Sequence, residues 1–230
     1  MKASDVMVSS VITVGPNNSV QDIAALLLSN RISAVPVLDD KGTLIGIVSE
    51  GDLIHRVEAG TERRRSWWLN LLNDKGTLAR NFLKSHATKA VDFMTTPVIT
   101  ASPDMPLGEL ASLLEKHRIK RVPVIRDGKV IGIVSRANLI QALAVLHKEP
   151  ASKTKVDDSI LRDRVLGELK LELCASASHI NVIVHNGTVE LWGGVDSSEE
   201  KRALRVAAEL VPGVLAVIDH VAVENWHYGV

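Results

Sequence analysis

Two short stretches of the chain place side chains suited to phosphate and sugar binding at the start of a helix. In the first, Ser49 is followed three residues later by Asp52; in the second, Ser135 is followed by Asn138. The free N–H groups and positive dipole end of a helix attract phosphate, and a serine hydroxyl can donate to a phosphate oxygen. The Asp52 carboxylate can accept two hydrogen bonds from a ribose diol, whereas Asn138 can bond a ribose without carrying charge. We call these pairs the first site and the second site.

The same spacing also has a purely structural interpretation. A serine at the N-cap and a polar residue three positions later can satisfy each other's backbone N–H groups in a capping box, with no ligand involved. Taken alone, Ser-x-x-Asp favours this cap. A phosphate-binding P-loop is excluded, because Asp52-Leu53 stands where Lys-Ser/Thr should follow the glycines Gly46 and Gly51.

Each site ends a longer unit that occurs twice, at residues 5–56 and 92–146. The shared segments are, in order, Asp-x-Met, Val-Ile-Thr, Arg-Ile, Val-Pro-Val and Gly-Ile-Val-Ser. Their apolar spacing and turn residues predict a β-α-β-β-α order in each unit. The predicted leading strands are Val11–Val14, which carries Thr13, and Val98–Ala101, which carries Thr100.

A unit of about fifty residues is too small to bury its own core well. We therefore expect the two units to pack as one module that occupies residues 1–148. A short polar linker, 149–156, separates this module from a smaller domain at 157–224. The predicted fold class is α+β or α/β.

Both units resemble the CBS motif, the cystathionine-beta-synthase-type repeat that works in pairs. The Val-Ile-Thr, Arg-Ile-x-x-Val-Pro-Val and Gly-Ile-Val-Ser-x-x-Asp/Asn-Leu-Ile segments carry the resemblance. It implies a cleft between the paired motifs that binds an adenosine-containing ligand: AMP, ADP, ATP, NAD or S-adenosylmethionine. This ligand would be regulatory, with no cofactor and no metal, and the resemblance also implies a homodimer.

The resemblance implies a ribose-binding role for Asp52 in the first site, whereas Asn138 departs from the family's acidic pattern. The second unit is rich in basic residues, and Lys120 with Arg121 precedes a strand near where a phosphate tail could lie; a solvated basic face is the alternative. The expected ligand-binding residues are Thr13, Ser49, Asp52, Thr100, Lys120, Arg121, Ser135 and Asn138.

A helical insert, 57–91, separates the two units. Trp67 and Trp68 follow three consecutive arginines in a chain that is only 3% aromatic. The segment is interpreted as a partner-binding or dimerising patch, an arginine gate to the ligand cleft, or an amphipathic excursion that covers the core. We expect one tryptophan to cover the core and the other to lie at an interface.

The domain at 157–224 resembles a BON domain, through its α-β-β-α-β order, Asn186-Gly187-Thr188-Val189-x-Leu191-x-Gly193 and Val211-Pro212-Gly213-Val214. BON domains are proposed to bind phospholipid or other macromolecules. Residues 151–230 contain 8 Lys and Arg against 12 Asp and Glu, so anionic headgroups would repel this part of the chain. A protein partner is therefore preferred to a membrane.

Composition narrows the remaining function classes. Residues 1–150 contain 19 Lys and Arg against 15 Asp and Glu, which is too few basic residues for a nucleic-acid surface. The first residues lack the apolar run of a signal peptide, and the single cysteine, Cys174, suits a cytoplasmic location. The eight histidines show no metal-ligand spacing, and no catalytic motif is present.

The sequence therefore predicts a non-catalytic regulatory protein that senses an adenine nucleotide and relays its binding to a partner through the BON domain. The alternative is a structural dimerisation module with an empty cleft, whose BON domain tethers a macromolecule or phospholipid. An enzyme is a distant third possibility.

Overall fold

The computed structural model describes residues 1–54, 86–146, 156–173 and 180–223. Trp67, Trp68 and most of the insert and linker lie outside the described residues, so the expectations for them stay predictions. Within them the chain forms two compact units, which differ from the two sequence repeats. One, the larger unit, contains residues 1–10, 100–126 and the chain from 131 onward; the other, the smaller unit, contains 11–99 and 127–130.

The described residues contain both helices and strands, and the mixed α+β class is confirmed. The helices are α1 Ala3–Val6, α2 Val20–Ser29, α3 Glu50–Leu53, α4 Ala90–Phe93, α5 Leu107–Lys116, α6 Arg136–Leu146, α7 Asp158–Leu173 and α8 Ser198–Glu209. The strands are β1 Ala34–Leu38, β2 Leu44–Ser49, β3 Arg121–Arg126, β4 Lys129–Ser135, β5 Asn181–His185, β6 Thr188–Val195 and β7 Ala216–Val223.

The smaller unit is built on the helix α2 and the hairpin β1–β2. Ser19 caps α2 by accepting the Asp22 N–H at 3.1 Å, and the Asp22 carboxylate accepts the Ser19 N–H at 3.2 Å. The two residues therefore form a capping box. Ile23 and Leu27 of α2 are buried against the inward residues of the hairpin and against α4.

The predicted leading strands are wrong, because each is reduced to a single bridging residue. Val14 donates to the Pro36 carbonyl and accepts from the Leu38 N–H, as one residue of a parallel ladder. The next rung would need the N–H of Pro36, which proline lacks. Ala101 bridges the second hairpin in the same way, donating to the Pro123 carbonyl. The proline of each Val-Pro-Val segment therefore ends the ladder.

The turns of the two hairpins differ in length. In β3–β4 the two-residue turn Asp127-Gly128 has positive φ angles of 52° and 76°, as a type I′ turn requires. The β1–β2 turn is longer, with Gly42 at a φ of 76° and the Asp39 carboxylate accepting two turn N–H groups. Both predicted hairpins are confirmed.

The leading Asp-x-Met segment of each sequence repeat packs on the hairpin of the other repeat. Val8 exchanges two backbone hydrogen bonds of 3.0 Å with Ile133 of β4. In the smaller unit, Thr95 exchanges bonds of 2.8 and 3.1 Å with Ile47 of β2. Each methionine lies on the glycine that begins Gly-Ile-Val-Ser: Met7 on Gly132, and Met94 on Gly46.

The C-terminal part of the larger unit has the predicted α-β-β-α-β order. Strands β5 and β6 are antiparallel, and β7 is parallel to β6. The Asn186-Gly187 turn has φ angles of 50° and 75°, as a type I′ turn requires. Ser197 caps α8 by accepting the Glu200 N–H at 3.1 Å, and the Glu200 carboxylate accepts the N–H of Asp196, the residue before the cap.

One face of this sheet forms the C-terminal core with α7 and α8, and the other face is covered as well. Ile183 is fully buried although it points away from the C-terminal core. The helices α1 and α6 both pack against β5. In addition, Arg162 of α7 donates to the Val182 carbonyl at 2.8 Å and to the Met7 carbonyl at 2.6 Å. The second sheet face is thus an interface with the N-terminal segment and the second repeat.

Candidate functional site

The first site forms at the junction of β2 and α3. The Asp52 Oδ2 accepts the Ser49 N–H at 3.0 Å and the Ser49 hydroxyl at 2.9 Å. Asp52 is only 9% exposed, so this carboxylate lies at the end of the hairpin core rather than in bulk water. In this state the Ser49 hydroxyl proton is directed at the aspartate.

The second repeat's leading segment contributes to the first site. Thr95, which bridges β2, donates its hydroxyl to Asp52 Oδ1 at 3.4 Å. Both carboxylate oxygens therefore face hydrogen-bond donors. This contact could not be found from the spacing of the Ser-x-x-Asp pair, because Thr95 is 43 residues away in the chain.

The second site has the same arrangement at the junction of β4 and α6. Asn138 Oδ1 accepts the Ser135 N–H at 2.7 Å and the Ser135 hydroxyl at 2.8 Å. The Ser135 oxygen in turn accepts the Asn138 N–H at 3.3 Å. Asn138 is 5% exposed, and its amide oxygen takes the place that Asp52 Oδ2 has in the first site.

The remaining atom of the Asn138 amide distinguishes the second site from the first. Asn138 Nδ2 donates to Gln141 Oε1 at 3.2 Å, and Asn181 Nδ2 of β5 donates to the same oxygen at 2.8 Å. The position equivalent to Thr95 is Val8, which has no hydroxyl to donate. In the second site an acceptor, Gln141 Oε1, faces residue 138, and the Asn138 Nδ2 group supplies the matching donor.

The other predicted residues lie at strand ends. Thr13 and Thr100 are half-buried and directly precede Val14 and Ala101, the single bridging residues of their segments. The exposed Lys120 accepts the Arg136 N–H through its carbonyl at 3.0 Å, which ties it to the start of α6. Arg121, half-buried, begins β3.

The structure brings together Ser49 with Asp52 in the smaller unit, and Ser135, Asn138 and the Lys120 backbone in the larger unit. Each serine pair forms the hydrogen bonds of a capping box at its own helix start. The ligand-binding role of these residues stays a prediction. Sequence reasoning missed Thr95, Gln141 and Asn181, whose types and spacing show no pattern of their own.

Two features were sought among the described residues, a membrane-spanning helix and a metal-binding cluster. None of the described helices is both long enough and apolar enough to cross a membrane. Over the same residues, no three His, Cys, Asp or Glu side chains cluster in a way that could hold a metal ion.

Two hairpin-and-helix repeats, each ending in a serine pair at a helix start, define a pair of CBS domains. The chain belongs to the CBS-domain family: the CBS domain model matches residues 3–59 and 90–145, and the BON domain model matches 157–225. Neither match is to a catalytic domain. These matches confirm the CBS pair and the BON domain that the motifs predicted.

Two relatives match about three fifths of this chain. An uncharacterized protein of Methanocaldococcus jannaschii, MJ1426, is 36% identical over 162 residues, 62% of this chain and 91% of its own length. The chloroplastic protein CBSX2 of Arabidopsis thaliana is 30% identical, over 61% of this chain and 62% of its own length. The crystal structure of CBSX2 in complex with AMP aligns with a TM-score of 0.55 and 29% identity, covering 64% of this chain and 99% of that structure.

Proposed function

We propose that this protein is a non-catalytic, cytoplasmic regulatory protein. Its CBS pair binds an adenosine-containing nucleotide, and its BON domain relays the bound state to a protein partner. The observation that carries the proposal is the duplicated serine pair, a hydroxyl beside a helix start with a buried carboxylate or amide oxygen one turn on. The AMP complex of CBSX2 supports the choice of ligand class.

The hydrogen bonds of the first site give a route for nucleotide binding. A serine hydroxyl can rotate, so Ser49 can turn its proton from Asp52 to a phosphate oxygen. Ribose hydroxyls then donate to the carboxylate in place of the serine. The exchange leaves the number of hydrogen bonds to Asp52 undiminished, and it replaces a local cap by contacts to a ligand.

The second site can make the same exchange, with Asn138 Oδ1 in place of the carboxylate oxygen. We assign the phosphates of a nucleotide there to the Ser135 hydroxyl and to Lys120 and Arg121, because the Lys120 backbone is bonded to the residue after Ser135. Thr13 and Thr100 are proposed to contact the base or sugar from the strand ends. The proposed ligands are AMP, ADP, ATP, NAD and S-adenosylmethionine, and the proposed assembly is a homodimer.

A thermal-shift screen of the full chain against these five ligands tests the proposal. A ligand at a hundredfold excess over its Kd adds about 2.7 kcal/mol to the free energy of unfolding. For a chain of this size the midpoint should rise by about 5–10 °C. The sensor is supported if one ligand clearly raises the midpoint of the native chain and does not raise it in the double variant Asp52→Ala, Asn138→Ala.

A flat screen at millimolar ligand, with binding also undetectable by calorimetry, overturns the nucleotide proposal. The structural module with an empty cleft would then be the better account. Two measurements then distinguish the possible roles of this module. Co-sedimentation with anionic vesicles at low salt would indicate phospholipid tethering, and pull-down of a second copy of the chain would indicate dimerisation.

A further inference from the structure

We propose that Gln141 positions Asn138 for nucleotide binding and that the BON domain acts on the second site through Asn181. The inference rests on the proposed function and adds to it the residues that connect the nucleotide to the BON domain. It makes Gln141 a positioning residue, since it touches Asn138 and not the ligand.

A continuous chain of side-chain hydrogen bonds carries the proposal. Ser135 donates to Asn138 at 2.8 Å, Asn138 donates to Gln141 at 3.2 Å, and Asn181 donates to Gln141 at 2.8 Å. Asn138 and Asn181 are 5% and 4% exposed. In a site shielded from water, breaking one of these bonds leaves a polar group without a partner, so the bonds fix the orientation of each amide.

The chain of hydrogen bonds crosses from one domain to the other. Asn138 and Gln141 are one turn apart on α6, so they share one face of the helix that follows the second site. Asn181 is the first residue of β5 in the BON domain, 40 positions after Gln141. A BON residue therefore holds the oxygen that orients the residue expected to hold a ribose.

A second contact ties the BON domain to the other side of the same site. Arg162 of α7 donates to the Met7 carbonyl, and the next residue, Val8, is bonded to Ile133 of β4. The strand β4 ends at Ser135. The BON domain thus holds both the strand and the helix that meet at the second site.

This contact also explains why the second site has an amide where the first has a carboxylate. Asp52 Oδ1 faces the Thr95 hydroxyl, a donor, so an acceptor suits position 52. Residue 138 faces Gln141 Oε1, an acceptor already bonded to Asn181, so a donor is required. A carboxylate at 138 would be repelled by that oxygen, and Asn138 is therefore matched to the BON contact.

Calorimetric titration with AMP tests the proposal on the full chain carrying Asp52→Ala, which leaves the second site as the nucleotide site. Gln141→Leu and Asn181→Leu should each weaken AMP binding about fivefold, corresponding to the ~1 kcal/mol of one hydrogen bond. Combined, they should weaken it no further than Gln141→Leu alone, because both act through one oxygen. Gln21→Leu, at the other glutamine of the chain and on the exposed face of α2, is the matched control.

Two further readouts separate positioning from a general loss of stability. Gln141→Glu keeps an oxygen that can accept from both amides, so it should retain AMP affinity within about twofold. It does so although it adds a negative charge, which Gln141→Leu does not. AMP should slow hydrogen exchange of the β5 amides, Asn181–His185, in the Asp52→Ala chain and not in its Gln141→Leu derivative. Asn181→Leu is expected to fold, because the Asn181 oxygen that it removes is buried without a partner.

The outcomes distinguish this inference from the proposed function. AMP binding that is equal in Gln141→Leu, Asn181→Leu and Gln21→Leu overturns the inference and leaves the nucleotide sensor standing. Binding by the native chain that disappears in Asp52→Ala also overturns it, since the second site would then hold no AMP. A native chain that binds none of the five ligands overturns both.

Discussion

The hydroxyl of Thr95 lies 3.4 Å from Asp52 Oδ1, although Thr95 belongs to the leading segment of the second repeat. The contact exists because each leading segment packs on the hairpin of the other repeat, with Thr95 bridging Ile47. A site that the sequence places wholly within one repeat is therefore completed from the other.

Removal of this hydroxyl should weaken the first site selectively. Thr95→Val keeps the side-chain shape and removes the donor to Asp52, so we expect nucleotide affinity at the first site to fall about two- to fivefold. Affinity at the second site should not change. Calorimetry of the full chain carrying Asn138→Ala isolates the first site, and Thr88→Val, at an exposed position, is the control. Equal weakening at both sites would contradict a local role for Thr95.

The two sites should respond differently to exchange of carboxylate and amide. Asn138→Asp places an acceptor against Gln141 Oε1, so we expect a loss of about 1–3 kcal/mol in the free energy of unfolding and weaker nucleotide binding at the second site. Asp52→Asn keeps one oxygen for the Ser49 donors and should cost less than this. Denaturant titrations of both variants check the difference. An Asn138→Asp protein as stable as Asp52→Asn would refute the matched-donor argument.

The glycine that begins each Gly-Ile-Val-Ser segment should resist substitution. A Cβ at Gly132 would overlap the side chain of Met7, and a Cβ at Gly46 would overlap that of Met94. Gly132→Ala and Gly46→Ala should each lower the free energy of unfolding by about 1–3 kcal/mol, because the methionine is forced from its place.

Helix α5 supplies the control for these glycines. A Cβ at Gly108 would meet no atom within 4 Å, so Gly108→Ala should be neutral or stabilise the protein by up to ~1 kcal/mol. Urea unfolding followed by circular dichroism measures all three variants. Gly132→Ala combined with Met7→Ala should cost less than the sum of the two single changes, and strict additivity would show that the two residues do not compete for space.

These glycines show how far the sequence predicts the fold. The repeat made Gly46, Gly132, Met7 and Met94 visible as equivalent pairs, and the hairpins and the α-β-β-α-β order followed from apolar spacing and turn residues. The sequence could not show that the methionine of one repeat lies on the glycine of the other, because a repeat establishes which residues are equivalent and not which residues are in contact.

The candidate site was predictable only in its local part. The Ser-x-x-Asp/Asn pairs depend on helix-start geometry that neighbouring residues determine. The contacts of Thr95, Gln141 and Asn181 depend on how distant segments pack, and single polar residues leave no periodic pattern that reveals this. The shortened leading strands were predictable in principle, since Pro36 and Pro123 lack the N–H that a longer ladder needs.

Acid should remove the stabilisation that two helix starts receive from their ionised carboxylates. Hydrogen bonds from the hydroxyl and N–H of Ser159 lower the pKa of Asp157, and those from Ser19 lower the pKa of Asp22. A carboxyl with a lowered folded-state pKa stabilises the protein above its unfolded pKa of about 3.9, and this stabilisation is lost as the pH falls through the folded value. The midpoint temperature of thermal unfolding should therefore decrease once the pH falls below about 4.

A neutral cap at position 157 checks the assignment of that loss. Asp157→Asn can still accept the Ser159 N–H but does not titrate, so its midpoint should fall less between pH 5 and pH 3 than that of the native chain. Asp40→Asn, in the exposed β1–β2 turn, is the matched control. Identical acid profiles for Asp157→Asn and the native chain would show that this cap does not contribute to the acid response.

Arg162 should anchor the N-terminal segment to the BON domain. Arg162 is 4% exposed, and its guanidinium donates to the Val182 and Met7 carbonyls. Burial lowers the pKa of this guanidinium, while the carboxylates of Asp163 and Asp5 favour its charged form. Arg162→Met removes a buried charge but leaves two carbonyls without that donor. We expect the free energy of unfolding to fall by about 1–3 kcal/mol, and hydrogen exchange at the Val8 amide to become faster.

Exchange at Val8 distinguishes a lost anchor from a generally weakened BON domain. The Val8 N–H donates to Ile133, so its protection reports directly on whether the leading segment stays on β4. Arg164→Met, two residues along α7 at an exposed position, should leave that protection unchanged. If Arg162→Met speeds exchange within the BON core while Val8 remains as protected as in the native chain, the guanidinium stabilises the BON domain alone. The leading segment must then be held by the Val8–Ile133 bonds and the packing of Met7 on Gly132.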